Sequence, residues 1–290
     1  MRNRIIRTSV AAGLVIAVAG AATASTPTAI ATAPATSAPA RALEVLVTND
    51  DGVDAAGIDA VVEALRLLPN VNVTVVAPAT NQSGTGDAYT TSPLTIAATT
   101  TASGYPATSV SGKPADTVFY AVKQLGLRPD VVVSGVNFGQ NIADFVTLSG
   151  TVGAARTAGR LGIPSIAVSA GLSGNVDFQT PANITAAFVM FFRSYYLLPQ
   201  TGATAKIFNL NTPACATGSL RGLAFVPIGR AETVTGYQDL GGGSVQATTT
   251  ARNILDADCT STKTTFTDDL DAMNNGFASV TLMNPDLTDI

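Results

Sequence analysis

From residue 43 onward the chain combines two hydrophobic patterns, one typical of buried strands and one typical of amphipathic helices. Short apolar runs rich in β-branched residues predict strands at residues 43–48, 71–78 and 130–134. Between the first two strands, residues 55–68 repeat apolar side chains at helical spacing. A strand, a helix and a strand in this order predict two parallel strands joined by a right-handed crossover.

The same alternation continues through the middle of the chain. Helical patterns cover residues 114–125, 151–161 and 182–198, and a further strand is predicted at residues 163–169. The sequence therefore predicts an α/β fold, a three-layer sandwich with a mainly parallel, Rossmann-like sheet covered by helices on both faces. Residues 92–111, rich in Thr, Ala, Ser and Pro, are expected to form a β-hairpin or a mobile excursion outside the core.

After residue 200 the helical pattern fades. Strands are predicted at residues 206–210, 223–228 and 277–282, and the loops between them are rich in Gly, Thr and Asp. We therefore expect an α/β core over residues 43–200 and a β-rich C-terminal extension over residues 201–290 that completes the same domain.

The first 42 residues have a different character. A basic leader precedes an apolar run, residues 10–24, that ends in Ala-Thr-Ala and is shorter than the roughly 20 residues a membrane span needs. This pattern predicts a signal peptide over residues 1–24, cleaved after Ala24, rather than an anchor helix. Residues 25–42 are almost entirely Ala, Thr, Pro and Ser, which predicts a disordered linker. We expect a secreted or extracytoplasmic protein with no stable membrane insertion after cleavage.

Composition restricts the chemistry that the chain can perform. Its 290 residues include 16 Lys and Arg, 20 Asp and Glu, and no histidine. The absence of histidine excludes catalytic triads, zinc sites and general bases that depend on imidazole. An acidic chain without a basic cluster also argues against nucleic-acid polymers as partners. Any catalysis must use carboxylates, hydroxyls and amides, with an oxygen-ligated metal as a further option.

The two cysteines, Cys215 and Cys259, are too few for a zinc site in a chain without histidine. A catalytic thiol would lack its usual base. In an oxidising compartment the natural expectation is a disulfide between them, provided that their Cα atoms approach closely enough.

Polar side chains follow three of the predicted strands. The first strand runs into Asp50 and Asp51, the second leads to a loop with Ser83, and the third leads to Asn137. The carboxyl ends of parallel strands meet at one edge of a sheet, where such folds bind ligands. Two carboxylates, a hydroxyl and an amide oxygen form a donor set suited to Mg²⁺ or Mn²⁺. The Asn-Asp-Asp-Gly tetrapeptide around the two acids is equally typical of a β-turn.

Ser149, Gly150 and Thr151 open a predicted helix. Small residues at this position leave backbone N–H groups uncovered at the positive end of the helix dipole, which suits a phosphate group. Close packing of the helix on the sheet would require the same small residues. The segment matches neither the nucleotide P-loop nor a dinucleotide-binding loop.

Taken together, these segments resemble the SurE family of survival-protein nucleotidases, which are metal-dependent phosphatases. The matching motifs fall in the family's order within residues 43–170: Asn49-Asp50-Asp51-Gly52, Asn81-Gln82-Ser83-Gly84, Gly112-Lys113-Pro114-Ala115-Asp116, Ser134-Gly135-Val136-Asn137-x-Gly139 and Ser149-Gly150-Thr151-Val152-Gly153-Ala154-Ala155. The resemblance implies a divalent cation, Mg²⁺ or Mn²⁺, bound by Asp50, Asp51, Ser83 and Asn137. It also implies phosphate contacts from Asn49, Ser149, Gly150 and Thr151.

The resemblance further implies hydrolysis of nucleoside 5′- or 3′-monophosphates, and of short polyphosphates by some members. It implies a homodimer or homotetramer formed through the C-terminal arm. Asp50 or Asp51 would orient or deprotonate an attacking water, and an aspartyl-phosphate intermediate is the alternative route. The rival hypothesis is a secreted protein that binds a phosphorylated metabolite without turnover, although such a protein has no need for two adjacent acids.

Overall fold

The structure is a computed structural model that describes residues 41–172, 176–198, 205–255 and 257–286. The predicted signal peptide and all but the last two residues of the predicted linker lie outside these ranges. In chain order the strands are β1 (Leu43–Thr48), β2 (Val71–Pro78), β3 (Ile96–Thr100), β4 (Pro106–Val110), β5 (Val131–Phe138), β6 (Ser165–Ala170), β7 (Ile207–Thr212), β8 (Cys215–Gly218), β9 (Gly222–Phe225), β10 (Glu232–Gly241), β11 (Ser244–Ala251), β12 (Ala257–Cys259) and β13 (Phe277–Met283).

Helices connect most of the strands in the first half of the chain. They are α1 (Ala56–Arg66), α2 (Pro114–Phe119), α3 (Gly150–Arg160), α4 (Gln179–Phe191), α5 (Arg193–Leu197) and α6 (Asp269–Asn274). Helix α2 continues into a π-helical turn at Tyr120–Gln124, and a 3₁₀ turn at Ala143–Thr147 precedes α3. Among the described residues, no helix combines the length and the apolar character needed to cross a membrane.

Within the described residues, nine strands form the central sheet in the order β3-β4-β2-β1-β5-β6-β7-β13-β9. The six strands from β4 to β7 in this order are mutually parallel. Strand β3 pairs antiparallel with β4, and β13 pairs antiparallel with β7. The mainly parallel sheet of the predicted α/β fold is therefore confirmed, and the stretch predicted as a hairpin or mobile excursion is the β3–β4 hairpin.

The apolar runs of the strands are buried on both faces of the sheet, as the sequence pattern predicts. On β1, Val45 and Val47 pack with α1 and α4 on one face, whereas Leu46 packs with α2 and α3 on the other. Burying each such side chain contributes about 2 kcal/mol to folding. Since both faces must be apolar, β1 reads as a continuous hydrophobic run rather than as an alternating one.

Several elements differ from the sequence-based boundaries. Strand β5 extends to Phe138, so Asn137 lies within the strand instead of in the loop after it. The helix predicted at residues 182–198 is divided at Phe192 into α4 and α5. The prediction missed α6 and the exposed antiparallel hairpin of β10 and β11.

Residues after position 200 contribute to the central sheet as well as to smaller sheets. Strands β7, β13 and β9 complete one side of the central sheet. Strands β8 and β12 form a separate parallel pair. A disulfide joins Cys215 on β8 to Cys259 on β12, with their Cα atoms 5.6 Å apart.

Candidate functional site

The two candidate carboxylates lie at the carboxyl end of β1, in a turn that the neighbouring residues hold in place. Asn49 is fully buried, and its side-chain N–H donates to the Gly52 carbonyl at 2.7 Å. Gly52 has φ +112°, a backbone conformation that favours glycine. The tetrapeptide is therefore a turn, and that turn directs Asp50 and Asp51 toward the same edge of the sheet.

Asp50 is 2% exposed and is held by α3. Its Oδ1 accepts a hydrogen bond from the Thr151 hydroxyl at 2.5 Å. A Cβ at Gly150 would lie 2.8 Å from the Asp50 Cβ, so only glycine allows the helix to approach this closely. Burial raises the pKa of Asp50 to about 6, although the Thr151 hydrogen bond acts in the opposite direction.

Asp51 is half-buried and contacts the two loops beside β1. Its Oδ2 accepts the backbone N–H of Phe138 at 2.9 Å, and its Oδ1 accepts the side-chain N–H of Asn81 at 3.3 Å. Burial raises its pKa, partly offset by the Phe138 hydrogen bond. Desolvation thus acts against the charge on both adjacent acids.

The loop after β2 lies against this turn, because the Gln82 N–H donates to the backbone carbonyl of Asp50 at 2.6 Å. Ser83 is exposed, and its own N–H donates to the Asn81 side chain at 3.0 Å. No hydrogen bond between described residues joins the Ser83 hydroxyl to either carboxylate. The structure therefore brings the predicted Ser83 segment to the site without placing its hydroxyl on the acids.

Asn137 lies on β5 and is buried beside the turn. Its side-chain N–H donates to the Gly139 carbonyl at 2.6 Å. Because the amide nitrogen is engaged in this way, the amide oxygen is the atom that Asn137 can offer to a cation.

The start of α3 supplies the predicted phosphate-binding segment. The Ser149 hydroxyl oxygen caps the helix by accepting the Val152 N–H at 3.1 Å. The Thr151 hydroxyl donates to Asp50, and the phosphate contact of this segment stays a prediction. The Gly150 backbone N–H has no acceptor within the helix and is the donor available to a phosphate oxygen, whereas the Thr151 backbone N–H hydrogen-bonds to the Asp50 carboxylate and acts to lower the Asp50 pKa.

The donor chemistry of this edge fits a hard divalent cation. No ion pair between described residues includes Asp50 or Asp51. Oδ1 of Asn49 is buried and has no hydrogen-bond partner in the described part of the chain. The described residues form no cluster of three or more His, Cys, Asp or Glu side chains, so any such cation would need neutral oxygen donors as well.

Sequence reasoning missed the residues that hold the site together. Asn81 and the Phe138 backbone fix Asp51, and Asp116 fixes the loop after β2 by accepting the Thr90 N–H at 3.1 Å. Asp116 also accepts the Lys113 N–H at 2.8 Å as part of the α2 capping box. Its signal was present in the sequence, because an acid three residues after the cap and a proline at the first helical position are typical of a helix start.

Buried asparagines position the loop that follows β5. The Asn141 N–H donates to the Asn211 side chain at 2.7 Å, and the Asn209 side chain donates to the Asn141 carbonyl at 2.8 Å. The Asn141 side chain donates to the Ser169 hydroxyl at 2.9 Å. These contacts join β6 and β7 to the site loop, and the sequence alone gave them no role.

Comparison with known proteins gives one consistent relationship. The family described as "Survival protein SurE" matches residues 45–235. A 5′/3′-nucleotidase SurE of Photorhabdus laumondii is 34% identical over 250 residues, covering 85% of this chain and 91% of that protein. A 5′-nucleotidase SurE of Methanocorpusculum labreanum is 37% identical over 183 residues, covering 59% of this chain and 67% of that protein.

A solved structure agrees with these sequence matches. The crystal structure of a SurE protein from Aquifex aeolicus superposes with a TM-score of 0.64 at 31% sequence identity. The match covers 85% of this chain and 95% of that one. The fold and the sequence matches together show that this chain belongs to the SurE family.

Proposed function

We propose that the chain is a phosphoric monoester hydrolase that cleaves nucleoside 5′- or 3′-monophosphates with the help of a divalent cation. The observation that carries the proposal is the Asp50–Asp51 pair, in which Asp50 is buried against the first turn of α3, Asp51 is half-buried beside it, and neither has an ion pair in the described part of the chain. The related nucleotidases described above support the same activity.

Asp50, Asp51 and the amide oxygen of Asn137 are the residues that would hold the cation, with the exposed Ser83 hydroxyl as the fourth donor. A hard divalent cation, Mg²⁺ or Mn²⁺, polarises phosphoryl oxygens and lowers the pKa of a bound water when it is present. The Thr151 hydroxyl fixes the orientation of the Asp50 carboxylate.

The protein's own groups account for the remaining steps. The first turn of α3, from Ser149 to Thr151, orients the phosphate chiefly through the Gly150 N–H, with the side chain of Asn49 nearby. Asp50 or Asp51 orients the attacking water and accepts its proton, because no imidazole exists in this chain. The water oxygen bonds to phosphorus as the ester oxygen leaves in line.

We also propose that the enzyme acts outside the cytoplasm. The leader over residues 1–24 and the linker over residues 25–42 support export. The Cys215–Cys259 disulfide supports the same location, because disulfides persist in oxidising compartments. Residues 43–200 would form the catalytic core, and residues 201–290 would complete the domain.

The proposed assembly is a homodimer or homotetramer formed through the C-terminal extension. The β10–β11 hairpin supports this proposal, because its strands are almost entirely exposed and carry large apolar side chains. Those side chains are Val234, Tyr237, Leu240 and Val245. Covering them in a subunit interface would remove apolar surface from water.

A panel assay tests the proposed activity. Purified mature protein is incubated with nucleoside 5′- and 3′-monophosphates and short polyphosphate, with Mg²⁺, Mn²⁺ or a chelator, and released phosphate is measured. The proposal requires turnover with at least one monophosphate that stops on chelation and returns with added cation. Nucleotide binding without phosphate release under every condition would instead support the secreted binding protein.

A further inference from the structure

Phe138 is a large apolar side chain exposed next to the candidate site. It is 57% exposed at the end of β5, although the preceding residues of the strand are buried. Its backbone N–H donates to the Asp51 carboxylate at 2.9 Å. The position of the Phe138 backbone is therefore fixed by the site itself, while its ring faces solvent beside the two acids.

A second aromatic ring lies on the same side. The Phe178 ring, at the start of α4, is centred 6.3 Å from the Phe138 ring and tilted by 42°. Phe178 also belongs to the rim of the main core, so it is anchored by packing. The two rings form an apolar surface that extends from the end of β5 to the start of α4.

A cavity lies further along the same edge of the sheet. Phe138, Ala170 and Thr212 are partners in register on β5, β6 and β7. The cavity has a volume of about 290 Å³ and is lined mainly by the residues that follow β6 and β7 and by the start of α4. Two strand spacings, about 10 Å, separate β5 from β7. The cavity therefore lies at the ends of the neighbouring strands, on the side of Phe138 away from β1.

We infer that Phe138 is a specificity-determining residue that stacks on the nucleobase of a nucleoside monophosphate, whose base edge enters this cavity. This inference rests on the proposed nucleotidase function and assigns the part of the substrate that the phosphate site does not contact. Every nucleobase has a π-face, and stacking on an aromatic side chain stabilises binding without reading the base sequence. An inorganic phosphate chain would gain nothing from the ring.

The test compares two substrates that differ only in the base. For wild type, Phe138→Ala and Phe138→Tyr, kcat/KM is measured with adenosine 5′-monophosphate and with ribose 5-phosphate. The expected result is an approximately tenfold fall in the nucleotide-to-ribose-phosphate ratio for Phe138→Ala, because a base stack is lost. Phe138→Tyr keeps an aromatic ring and should restore the ratio. Phe191→Ala removes another exposed ring, 81% exposed on α4, and should leave the ratio unchanged.

The cavity is tested separately with Ser219→Trp, which places a large side chain at its exposed rim. This variant should also lower the ratio, chiefly through a higher KM for the nucleotide. An unchanged ratio in Phe138→Ala would overturn the inference, and an unchanged ratio in Ser219→Trp would overturn the entry of the base edge into the cavity.

Binding of the same two compounds, measured by calorimetry, separates failure of the inference from failure of the proposed function. If wild type turns over neither compound, the hydrolase proposal fails. The stacking inference then stands or falls on whether Phe138→Ala weakens nucleotide binding about tenfold relative to ribose 5-phosphate. Equal weakening of both compounds would overturn it.

Discussion

Two pairs of adjacent aspartates lie in different regions of the molecule, Asp50–Asp51 at the end of β1 and Asp268–Asp269 at the start of α6. In the second pair, Asp268 accepts two hydrogen bonds from Arg252 at 2.7 and 2.9 Å and caps α6 through the Asp271 N–H at 2.9 Å. Asp269 accepts the backbone N–H groups of Ala143, Gly229 and Leu270 at 2.8 to 2.9 Å. Groups of the protein itself therefore provide the hydrogen bonds that both acids of this second pair need.

In the first pair, Asp50 accepts the Thr151 hydroxyl and Asp51 accepts the Phe138 N–H and the Asn81 side chain, but neither acid reaches an arginine among the described residues. Burial shields both Asp50 and Asp51 from water. No ion pair between described residues includes either carboxylate. Burial raises the pKa of both groups. The difference teaches that adjacency of two acids does not identify a site. Burial raises the pKa of Asp269 as well, so what distinguishes the first pair is that both of its adjacent acids are desolvated and neither reaches an arginine or a lysine in the described part of the chain.

The largest expected difference between the pairs is in activity. Asp50→Asn should lower phosphate release from the best nucleoside monophosphate by about 1,000-fold, because cation binding and transition-state charge stabilisation are lost together. Asp268→Asn should keep activity within about twofold while lowering the free energy of unfolding by about 1–2 kcal/mol, because Arg252 loses its charged partner. Initial rates and urea unfolding of both variants check this prediction. Comparable rates for the two variants would contradict the comparison.

The second largest expected difference between the two pairs is in how much a bound cation stabilises the protein against unfolding. In wild type, Mg²⁺ or Mn²⁺ at about 100 times its Kd should raise the free energy of unfolding by about 3 kcal/mol, and a chelator should reverse the change. Asp268→Asn should retain this stabilisation, and Asp50→Asn should lose it. Thermal unfolding with and without cation measures the effect. Equal stabilisation of both variants would place the cation elsewhere.

A smaller effect is expected from the residue that supports Asp50. Thr151→Val keeps the shape of the side chain but removes the hydroxyl that donates to Asp50. Residues that orient a metal ligand typically change affinity or activity by about 10- to 100-fold. For Thr151→Val we expect activity to fall by an amount at the lower end of this range, together with a weaker apparent affinity for the cation. Thr151→Ser keeps the hydroxyl and should stay near wild type in the same steady-state titration. A loss as large in Thr151→Ser would assign the effect to packing of the methyl group.

The smallest expected effect is a difference in pKa between Asp268 and Asp269, the two acids of the second pair. Burial disfavours the charge of Asp268, but Arg252 and the helix cap outweigh it and hold its pKa below the ordinary value, whereas burial raises the pKa of Asp269. Asp268 therefore adds stability above its unfolded pKa of about 3.9, and this stability is lost as pH falls through its folded pKa. Asp269 has the opposite effect on the free energy of unfolding. Because its folded pKa is raised, it lowers stability as pH rises from about 4 through that folded pKa. Carbon-detected NMR titration should show Asp268 losing its proton at lower pH than Asp269, and the reverse order would contradict this assignment.

Much of the fold was readable from the sequence because its signals are local. The apolar runs of β1, β2 and β6 and the helical spacing of α1 and α3 each lie within one element. The β10–β11 hairpin was not predicted, because nearly all of its residues are exposed. Without a buried face, its strands show no alternation of apolar and polar residues. Helix α6 escaped because six residues are too few for a helical period to show.

The candidate site could be predicted only in part, because some of its contacts join residues that are far apart in the sequence. Asp50 and Asp51 stood out because they directly follow a buried strand, a context that Asp268 and Asp269 lack. Thr151 was expected to contact phosphate, yet its hydroxyl donates to a carboxylate 101 positions away in the chain. Phe138 stood only at a variable position of the Ser134–Gly139 motif, and the sequence does not show that its side chain is exposed.

By itself, the sequence determined the parallel α/β arrangement, the dependence on oxygen chemistry that follows from having no histidine, and the strand ends where this chemistry lies. Only the tertiary structure decided which oxygens are engaged and which are available. Thr151 and the Phe138 backbone meet the acids across 101 and 87 positions of sequence. The physical reason is that hydrophobic periodicity is set by neighbours along one element, whereas desolvation and hydrogen bonding of a carboxylate are set by whatever packs around it.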